Sequence, residues 1–452
     1  MQVRVENMPS FNVLKSPVWS QPHQYLIAAV FAAVILAYLV TALYYPIAFI
    51  WLTYEDLPGE WSQTYFFLVA MLLSLRNVFS KSSYRWFFAI LAVACAYVVL
   101  EEISWGQRLF GFSTPEFLKA RNLQGEANIH NLFTGPYKTF MKDALSFALA
   151  AGLMVYGMLY PLACSFKWRP AAWLQKLGVA APPLVVAPYF VCAAYLELKP
   201  FSFNEAEIAE ILVAMALAIT ALHYRFLTVR ELHANRDSSW SAGQSKRFSL
   251  WVSGLVISVF SVAGLTTVAV YSSPERRSVI DNRIDNGIEK FAGRYRRYER
   301  CDISNRLYGR LLEDDPDDVP LIRKMAEVYQ CLGEQPRFQE FIDRALSIDL
   351  AKLEADPWRA SVNRSMVRTY RLAGEEALAD KYLLYAFEIG LERIADHPDS
   401  VNAVYSLGRT YSLANQPEKA LELLSRAYEM KPASSRYRKA YYRAKRKVDE
   451  QG

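Results

Sequence analysis

Hydrophobic residues follow two patterns along this chain, and the pattern changes near residue 272. Before that point they form long runs, and after it they are spaced among charged residues. Crossing a hydrocarbon core of ~30 Å takes about 20 apolar helical residues. Seven runs approach that length, near 24–45, 63–80, 85–101, 142–164, 178–196, 207–224 and 249–271. The sequence therefore predicts an all-α protein that begins with a seven-helix transmembrane bundle.

Two of these runs have a distinctive composition. The first contains no charged residue between Tyr25 and Phe49. The fifth carries Pro182, Pro183 and Pro188. Proline removes a backbone donor and clashes with the preceding turn, so we expect a kink or a break in the fifth run.

Basic residues indicate the orientation of the bundle. The connection Tyr54–Trp61 holds three acidic residues and no basic one. Lys and Arg favour cytoplasmic connections. This distribution predicts a cytoplasmic N-terminus and an extracytoplasmic segment beyond Tyr271, in a bacterial inner membrane. The basic clusters follow the second, fourth and sixth runs and comprise Arg76, Lys81, Arg85, Lys167, Arg169, Lys176, Arg225, Arg230, Arg236, Lys246 and Arg247.

The segment after residue 296 repeats with a step of 41 residues. Tyr329, Tyr370 and Tyr411 are separated by this step, and we expect their rings to pack inside pairs of helices. A proline suits the first turn of a helix, so the repeated Pro positions indicate where each pair begins. The other columns are Pro316, Pro357 and Pro398; Phe338, Ala379 and Ala420; Ile342, Leu383 and Leu424; and Ala345, Ala386 and Ala427.

The last unit contains seven residues at the signature spacing of a known helical repeat: Leu407, Gly408, Tyr411, Ala420, Leu424, Ala427 and Pro432. On these residues it closely resembles the tetratricopeptide repeat family. The resemblance covers roughly 315–434, but the two earlier units depart from it through a longer second helix. It implies a concave surface that binds proteins or peptides, and it implies no catalysis.

These patterns predict four regions. Residues 1–22 form a short cytoplasmic N-terminus, 23–272 a membrane domain, 273–295 a linker helix and 296–452 the repeat domain. A disulfide between Cys301 and Cys331 is a candidate, because consecutive helices of such an array pack side by side.

Composition supports a mixed chain of this kind. Hydrophobic residues make up 53% of the 452 residues and charged residues 21%, and the net charge is +6. This modest charge does not support binding to nucleic acid. We therefore expect the lipid bilayer and a protein partner as its contacts, and the sequence contains no familiar hydrolase or nucleotide-binding motif.

Polar residues are dense at the predicted outer boundary of the bundle. Two segments, Glu-Glu-Ile-Ser-Trp-Gly-Gln-Arg at 101–108 and Asn-Leu-Gln-Gly-Glu-Ala-Asn-Ile-His-Asn at 122–131, resemble an uncharacterised family of bacterial integral membrane proteins. That resemblance covers about 50–225 and implies no established activity.

Three chemistries suit these polar residues. Glu126 and His130 share a helix face and, with Glu102 and Glu210, are candidate ligands of a divalent metal ion. Glu101, Glu102, Glu126 or His130 are candidate catalytic groups. A substrate could be held by Trp105, Gln107, Arg108, Asn122, Gln124 and Asn128. The alternative is a structural cluster in which Arg108 pairs with Glu101 or Glu102 and Trp105 anchors the interface.

Two functions remain open from the sequence. The first is a membrane-anchored scaffold that recruits partners of the cell envelope through its repeats. The second is a membrane-embedded enzyme or transporter that uses the Glu/His cluster on a lipid-linked or envelope substrate, with the repeats serving for docking.

Overall fold

The computed structural model describes residues 22–80, 83–107, 140–231 and 242–450. Every regular element within these ranges is a helix, in agreement with the predicted all-α class. The chain divides into two compact units, the first ending at Gly287 and the second beginning at Ile288. The boundary lies inside the helix Pro274–Arg297.

The described part of the first unit consists of helices. A π-helical turn, Val155–Leu159, joins two of them. The helices are α1 Pro22–Tyr44, α2 Pro46–Thr53, α3 Pro58–Val78, α4 Arg85–Glu102, α5 Phe140–Met154, α6 Tyr160–Ser165, α7 Arg169–Lys176, α8 Ala187–Glu197, α9 Glu205–Glu231, α10 Ala242–Tyr271 and α11 Pro274–Arg297.

Among the residues that the structure describes, four helical stretches are long and apolar enough to cross a membrane, judged by length and composition. They correspond to the first, fourth, sixth and seventh predicted runs, and a shorter apolar stretch, Leu184–Glu197, corresponds to the fifth. The four stretches are Pro22–Tyr44, Met141–Ser165, Glu205–Leu227 and Gly243–Tyr271. By this measure the described residues contain fewer than the seven predicted transmembrane helices.

The second and third runs fall short because of their charged and polar residues. Helix α4 has 18 residues, of which Arg85, Glu101 and Glu102 are charged. Helix α3 buries polar side chains against its neighbours, and the amide of Asn77 donates to the carbonyl oxygen of Ala221 at 2.9 Å. The amide N–H group of Asn77 is satisfied in this way, whereas its Oδ1 and the hydroxyl of Ser74 have no hydrogen-bond partner among the described residues.

The fifth run is broken, as its prolines predict. The chain is non-helical before a 3₁₀ turn at Leu184–Val186, and α8 begins only at Ala187. Three tyrosine hydroxyls donate to the carbonyl oxygens that the break leaves without helical partners. These bonds are Tyr160 to Val179 at 2.7 Å, Tyr156 to Ala180 at 3.2 Å and Tyr224 to Ala181 at 3.0 Å.

Gly157 allows the helix containing the π turn to approach α8 closely. A Cβ atom at this position would overlap Cβ and Cγ of Phe190, whereas a Cβ at Gly152, five residues earlier, would meet nothing within 4 Å. Because Phe190 is fully buried, its ring has little room to move away.

We expect Gly157→Ala to destabilise the first unit by about 1–3 kcal/mol, the usual cost of overpacking. The matched control Gly152→Ala should be neutral or gain up to about 1 kcal/mol, since alanine favours a helix over glycine. Thermal unfolding of the purified protein in detergent checks both variants. Equal melting temperatures for the two variants would contradict the close approach.

Residues at the two ends of the first unit form two separate groups. At one end His23 bonds Ser245 at 2.9 Å, and the rings of His23 and His223 both lie against Phe248. The other end brings together Thr53, Asp56, Asn204 and Arg283, because Asn204 donates to the carbonyl oxygen of Thr53 at 3.1 Å and Arg283 forms an ion pair with Asp56.

The second unit contains three consecutive helical hairpins with flanking helices. Their second helices have 21, 21 and 14 residues, so the longer second helix predicted for the earlier units is confirmed. Gly333 and Gly374 adopt positive φ at the end of a first helix, a conformation that glycine accommodates without strain. The helices are α12 Cys301–Asp314, α13 Val319–Leu332, α14 Gln335–Ala355, α15 Ala360–Ala373, α16 Glu376–Asp396, α17 Val401–Leu413, α18 Pro417–Met430 and α19 Ser435–Asp449.

The small alanine column lies in the second helix of each hairpin and is buried there. Ala345, Ala386 and Ala427 are each fully buried. Side chains this small let the backbones of packed helices approach closely, and any larger residue would overpack the contact.

Candidate functional site

Three polar side chains from three helices meet inside the first unit. The side-chain amide of Gln63, in α3, donates to a carboxylate oxygen of Glu102 at 3.1 Å and also to Glu210. Glu102 lies at the end of α4 and Glu210 in the second turn of α9. The three helices thus bring two carboxylates to a single amide group.

Gln63 is deeply buried, with 1% of its surface exposed. Its carbonyl oxygen, Oε1, has no hydrogen-bond partner among the described residues. A buried acceptor without a partner costs about 1–3 kcal/mol. Two carboxylates and one unsatisfied amide oxygen are also the kind of oxygen donors that a divalent cation or a proton would satisfy.

Other acidic residues near this group have partners that explain their burial. The indole Nε1 of Trp105 donates to Glu101 at 2.7 Å, and the hydroxyl of Ser146 donates to Glu197 at 2.9 Å. Glu205 accepts from the backbone N–H groups of Phe201 at 2.6 Å and Phe203 at 2.7 Å. Glu205 therefore organises the connection before α9.

The predicted site is only partly within the described residues. Glu102 and Glu210 contact Gln63, Glu101 contacts Trp105, and Gln107 follows the turn that contains Trp105. Within ranges 22–80, 83–107, 140–231 and 242–450, no group of three or more His, Cys, Asp or Glu side chains is placed to hold a metal ion. The remaining candidates, Arg108, Asn122, Gln124, Glu126, Asn128 and His130, lie outside the described residues.

The tyrosine column of the second unit lies in aromatic contacts. Tyr329 lies 5.2 Å from Phe341, measured between ring centroids, and Tyr370 lies 5.4 Å from Tyr382. Tyr411 instead contacts Phe387 of the preceding hairpin, at 4.9 Å. The three tyrosines are half-buried, so the rings cover the hairpins at their edge and are not enclosed within them.

Cys301 and Cys331 form a disulfide in the same unit. Their Cα atoms are 6.3 Å apart, and the bridge joins the first residue of α12 to the last turn of α13. Cys301 is buried and Cys331 is exposed, so one sulfur of the bridge lies next to solvent.

A row of arginines connects the first helices of successive hairpins. Nη1 of Arg323, in α13, donates to the hydroxyl of Ser365 at 2.7 Å and to that of Thr369 at 3.4 Å, both in α15. Arg323 is buried, so these bonds satisfy part of a guanidinium that is withdrawn from water.

The same arrangement recurs one repeat later. Nη1 of Arg364 donates to the hydroxyl of Ser406 at 3.0 Å and to that of Thr410 at 3.2 Å, both in α17. Each of these residues lies 41 positions after its counterpart in the first step. The contact is therefore a property of the repeat and not of one hairpin.

More accessible arginines continue this row. Arg368 and Arg409 are half-buried, and Nη1 of Arg409 donates to the hydroxyl of Tyr405 at 3.2 Å. The exposed guanidinium of Arg436, in α19, lies 4.5 Å from the centroid of the Tyr405 ring. We call Arg323, Arg364, Arg368, Arg409 and Arg436 the arginine ladder.

Sequence reasoning missed Gln63, because one glutamine in an apolar run has no diagnostic spacing. The ladder did carry a signal. Arg323 and Arg364, Ser365 and Ser406, and Thr369 and Thr410 are all separated by the step of 41 that identified the tyrosine column.

Comparison with known families supports the interpretation of the repeats. Residues 358–433 match the family model described as a tetratricopeptide repeat. This match includes the second and third hairpins from Trp358 onward. A comparison with curated proteins found no match.

Several solved structures resemble parts of the chain. TTC0263, a thermophilic TPR protein of Thermus thermophilus, is 18% identical, and the match covers 44% of this chain and 93% of that one, with a TM-score of 0.20. The MamA protein is 21% identical over 37% of this chain and 85% of its own, with a TM-score of 0.16. The human IFIT1 dimer, solved with m7Gppp-AAAA, is 12% identical over 84% and 96%, also with a TM-score of 0.16. Scores this low carry no functional argument.

Proposed function

We propose that this chain is an inner-membrane protein that crosses the bilayer seven times and displays a tetratricopeptide scaffold outside the cytoplasm, where the scaffold recruits partners of the cell envelope. The observation that carries the proposal is the match of residues 358–433 to the tetratricopeptide repeat. Such repeats bury their hydrophobic surface against one another and present an extended binding surface. Protein partners follow from this architecture.

The grouping of residues at the two ends of the first unit supports seven spans. His23, His223 and Ser245 belong to ends that the basic connections assign to the cytoplasm, and they lie together. Thr53 and Asn204 belong to ends assigned to the opposite side, and they also lie together. If α3, α4 and the broken fifth segment also cross the membrane, successive crossings alternate in direction. The two groups of residues then lie on opposite sides of the membrane.

The disulfide supports the extracytoplasmic placement. Disulfides persist in oxidising compartments such as the periplasm and are rare in the cytosol. The bond between Cys301 and Cys331 lies after the last apolar helix, on the side that the basic connections assign to the outside. Both arguments favour the same compartment and rest on different residues.

Affinity capture from membranes tests the scaffold proposal. Proteins retained by the full-length chain are compared with those retained by a chain ending at Ser272, both solubilised in the same mild detergent. We expect specific partners to be lost from the shorter chain. Identical sets of retained proteins would contradict the proposal.

Labelling of introduced cysteines in intact cells tests the orientation. A cysteine replacing exposed Ala433, in a background with the native cysteines replaced, should react with a membrane-impermeant maleimide. A cysteine replacing exposed Lys167, in a connection assigned to the cytoplasm, should react only after permeabilisation. The reverse pattern would contradict the orientation.

A second candidate function is a membrane-embedded enzyme or transporter acting on a lipid-linked or envelope substrate. The observation in its favour is that Gln63 holds Glu102 and Glu210 together while its own Oε1 remains unsatisfied. Ionisable groups inside a membrane unit are costly unless they are paired or serve a site. Glu126 and His130 would complete a divalent cation site in this proposal.

Metal content tests the second candidate. In the purified protein we expect Glu210→Gln, and separately the double change Glu126→Ala and His130→Ala, to lower the bound divalent metal at least tenfold by elemental analysis. The control Glu275→Gln removes an exposed carboxylate from α11 and should leave the metal content unchanged. The absence of stoichiometric metal from wild-type protein purified without chelators would contradict a metal-dependent enzyme or transporter.

A further inference from the structure

The arginine ladder concentrates positive charge that no ion pair within the second unit neutralises. Among the described residues, no carboxylate lies within ion-pair distance of any ladder arginine, whereas nearby basic residues are paired, such as Arg296 with Glu327 and Lys324 with Glu289. Basic and acidic residues are nearly balanced over 288–452. The charge of the ladder is therefore a local feature and not part of a generally basic surface.

Only the first step of the ladder has a buried acid close by. Asp349, in α14, is buried near Arg323 and Arg368, and its Oδ2 has no hydrogen-bond partner among the described residues. Forty-one residues later the equivalent position is Gly390, where an added Cβ would lie 2.9 Å from Cδ1 of Leu407. The second step thus has no counterpart of Asp349 and no space for one without movement.

The pKa values of the two middle arginines of the ladder, Arg364 and Arg368, are lowered. Burial, followed by the charges of Arg409 and Arg368, lowers the pKa of Arg364 to about 10. Burial, followed by the charges of Arg323 and Arg409, lowers the pKa of Arg368 to about 10. Both arginines still carry their charge at neutral pH, in surroundings that favour an added anion.

We propose that the ladder binds an acidic segment of a protein partner, whose carboxylates contact Arg368, Arg409 and Arg436. This proposal rests on the scaffold function and names the chemistry of the partner. Arg323 and Arg364 are held by hydroxyl groups and act as positioning residues, because they fix the helices that carry the accessible arginines. Guanidinium groups suit this role because their planar N–H groups match a carboxylate with two parallel hydrogen bonds.

The surroundings of the ladder favour a peptide over a nucleic acid. Nucleic-acid surfaces combine an extended basic groove with exposed aromatic rings on which bases stack. Here the aromatic ring between the arginines, Tyr405, is buried and is already occupied by Arg409 and Arg436. A short acidic segment needs only the few accessible guanidinium groups that the ladder provides.

Fluorescence anisotropy with the full-length protein in detergent tests the proposal. The probe is a fluorescein-labelled peptide of about twelve residues in which Glu alternates with Ser, and the matched peptide carries Gln in place of Glu. We expect the Glu peptide to bind at least tenfold more tightly. Its affinity should fall as salt rises from about 50 to 500 mM, since screening shortens the range of the attraction.

Matched variants locate the binding surface. Arg368→Gln with Arg409→Gln should weaken binding of the Glu peptide at least tenfold. Arg310→Gln with Arg337→Gln removes the same charge from exposed positions that pair with Glu313 and Glu340, and it should leave binding unchanged. Circular dichroism verifies that each variant retains its helix content. If the variant with Arg368→Gln and Arg409→Gln is misfolded, Arg368→Lys with Arg409→Lys provides a more conservative pair.

Several results would overturn the inference. These are equal affinities for the Glu and Gln peptides, equal losses in the two pairs of variants, or tighter binding of a single-stranded RNA of similar length and charge. Affinity capture separates this failure from that of the scaffold proposal. If the Arg368/Arg409 variant retains every partner that a chain ending at Ser272 loses, the scaffold proposal is supported and the proposal of an acidic segment is contradicted.

Discussion

Phe338→Ala should destabilise the first hairpin of the repeat array by about 3–5 kcal/mol, the usual cost of removing a buried phenylalanine. Phe338 lies in α14 and is almost fully buried in a cluster with Ala326 and Ile342. Alanine at this position would leave a cavity that the rigid backbones of the hairpin cannot close. The lost contacts and the cavity both contribute to the cost.

The loss should reach the next hairpin but not the last one. Leu372 and Ala373, in α15, pack against the same cluster, so the cavity lies next to the contact between two repeats. Stability in such arrays is nearly a sum of repeat terms and nearest-neighbour terms. Hydrogen exchange of the full-length protein, followed by mass spectrometry, should show faster exchange over 319–373 and little change over 401–430.

Leu350→Ala provides the matched control for this experiment. Leu350 lies in the same helix but is exposed, so its truncation should alter exchange by less than the equivalent of about 1 kcal/mol. Equal protection in the Phe338 and Leu350 variants would show that the cluster does not stabilise the hairpin.

The repeat array could be predicted from the sequence because its contacts are local and recur. A step of 41 positions the tyrosine and alanine columns without knowledge of any tertiary contact, and the structure places the predicted pairs of helices there. The same step relates Arg323 to Arg364 and Arg368 to Arg409, but arginine is usually a surface residue, so this recurrence carried no prediction of burial. Arg364 is buried because hydroxyl groups of the next repeat replace its water.

The interior of the first unit was harder to predict. An apolar run indicates a membrane helix but not the neighbours that the helix will have. Helix α3 is more polar than a lipid-facing helix, and two of its polar residues have partners that are distant in sequence, Ala221 for Asn77 and Glu102 for Gln63. Glu102 and Glu210 were candidate metal ligands from their position at one boundary, whereas the amide that joins them had no local signal.

Removing the disulfide between Cys301 and Cys331 should destabilise the beginning of the repeat unit by about 2–4 kcal/mol, as expected for a bridge that closes a loop of about 30 residues. The bridge has a sequence separation of 30 and ties α12 to the hairpin that follows. Because a cross-link restricts the unfolded chain, Cys301→Ser, Cys331→Ser and the double variant should be destabilised equally. Hydrogen exchange over 301–332 measures the effect.

The exposed position of Cys331 provides an independent test of the same bond. A soluble reductant can reach this sulfur, so reduced wild-type protein should exchange over 301–332 like the double variant, and the reductant should not affect the variant itself.

For mass spectrometry, thiols are blocked during cell lysis and the protein is then denatured and alkylated with a second reagent. The free thiols Cys95, Cys164 and Cys192 provide the internal control. Blocked thiols at both Cys301 and Cys331 would show that the bridge is absent in the cell, and they would remove one of the two arguments for an extracytoplasmic repeat unit.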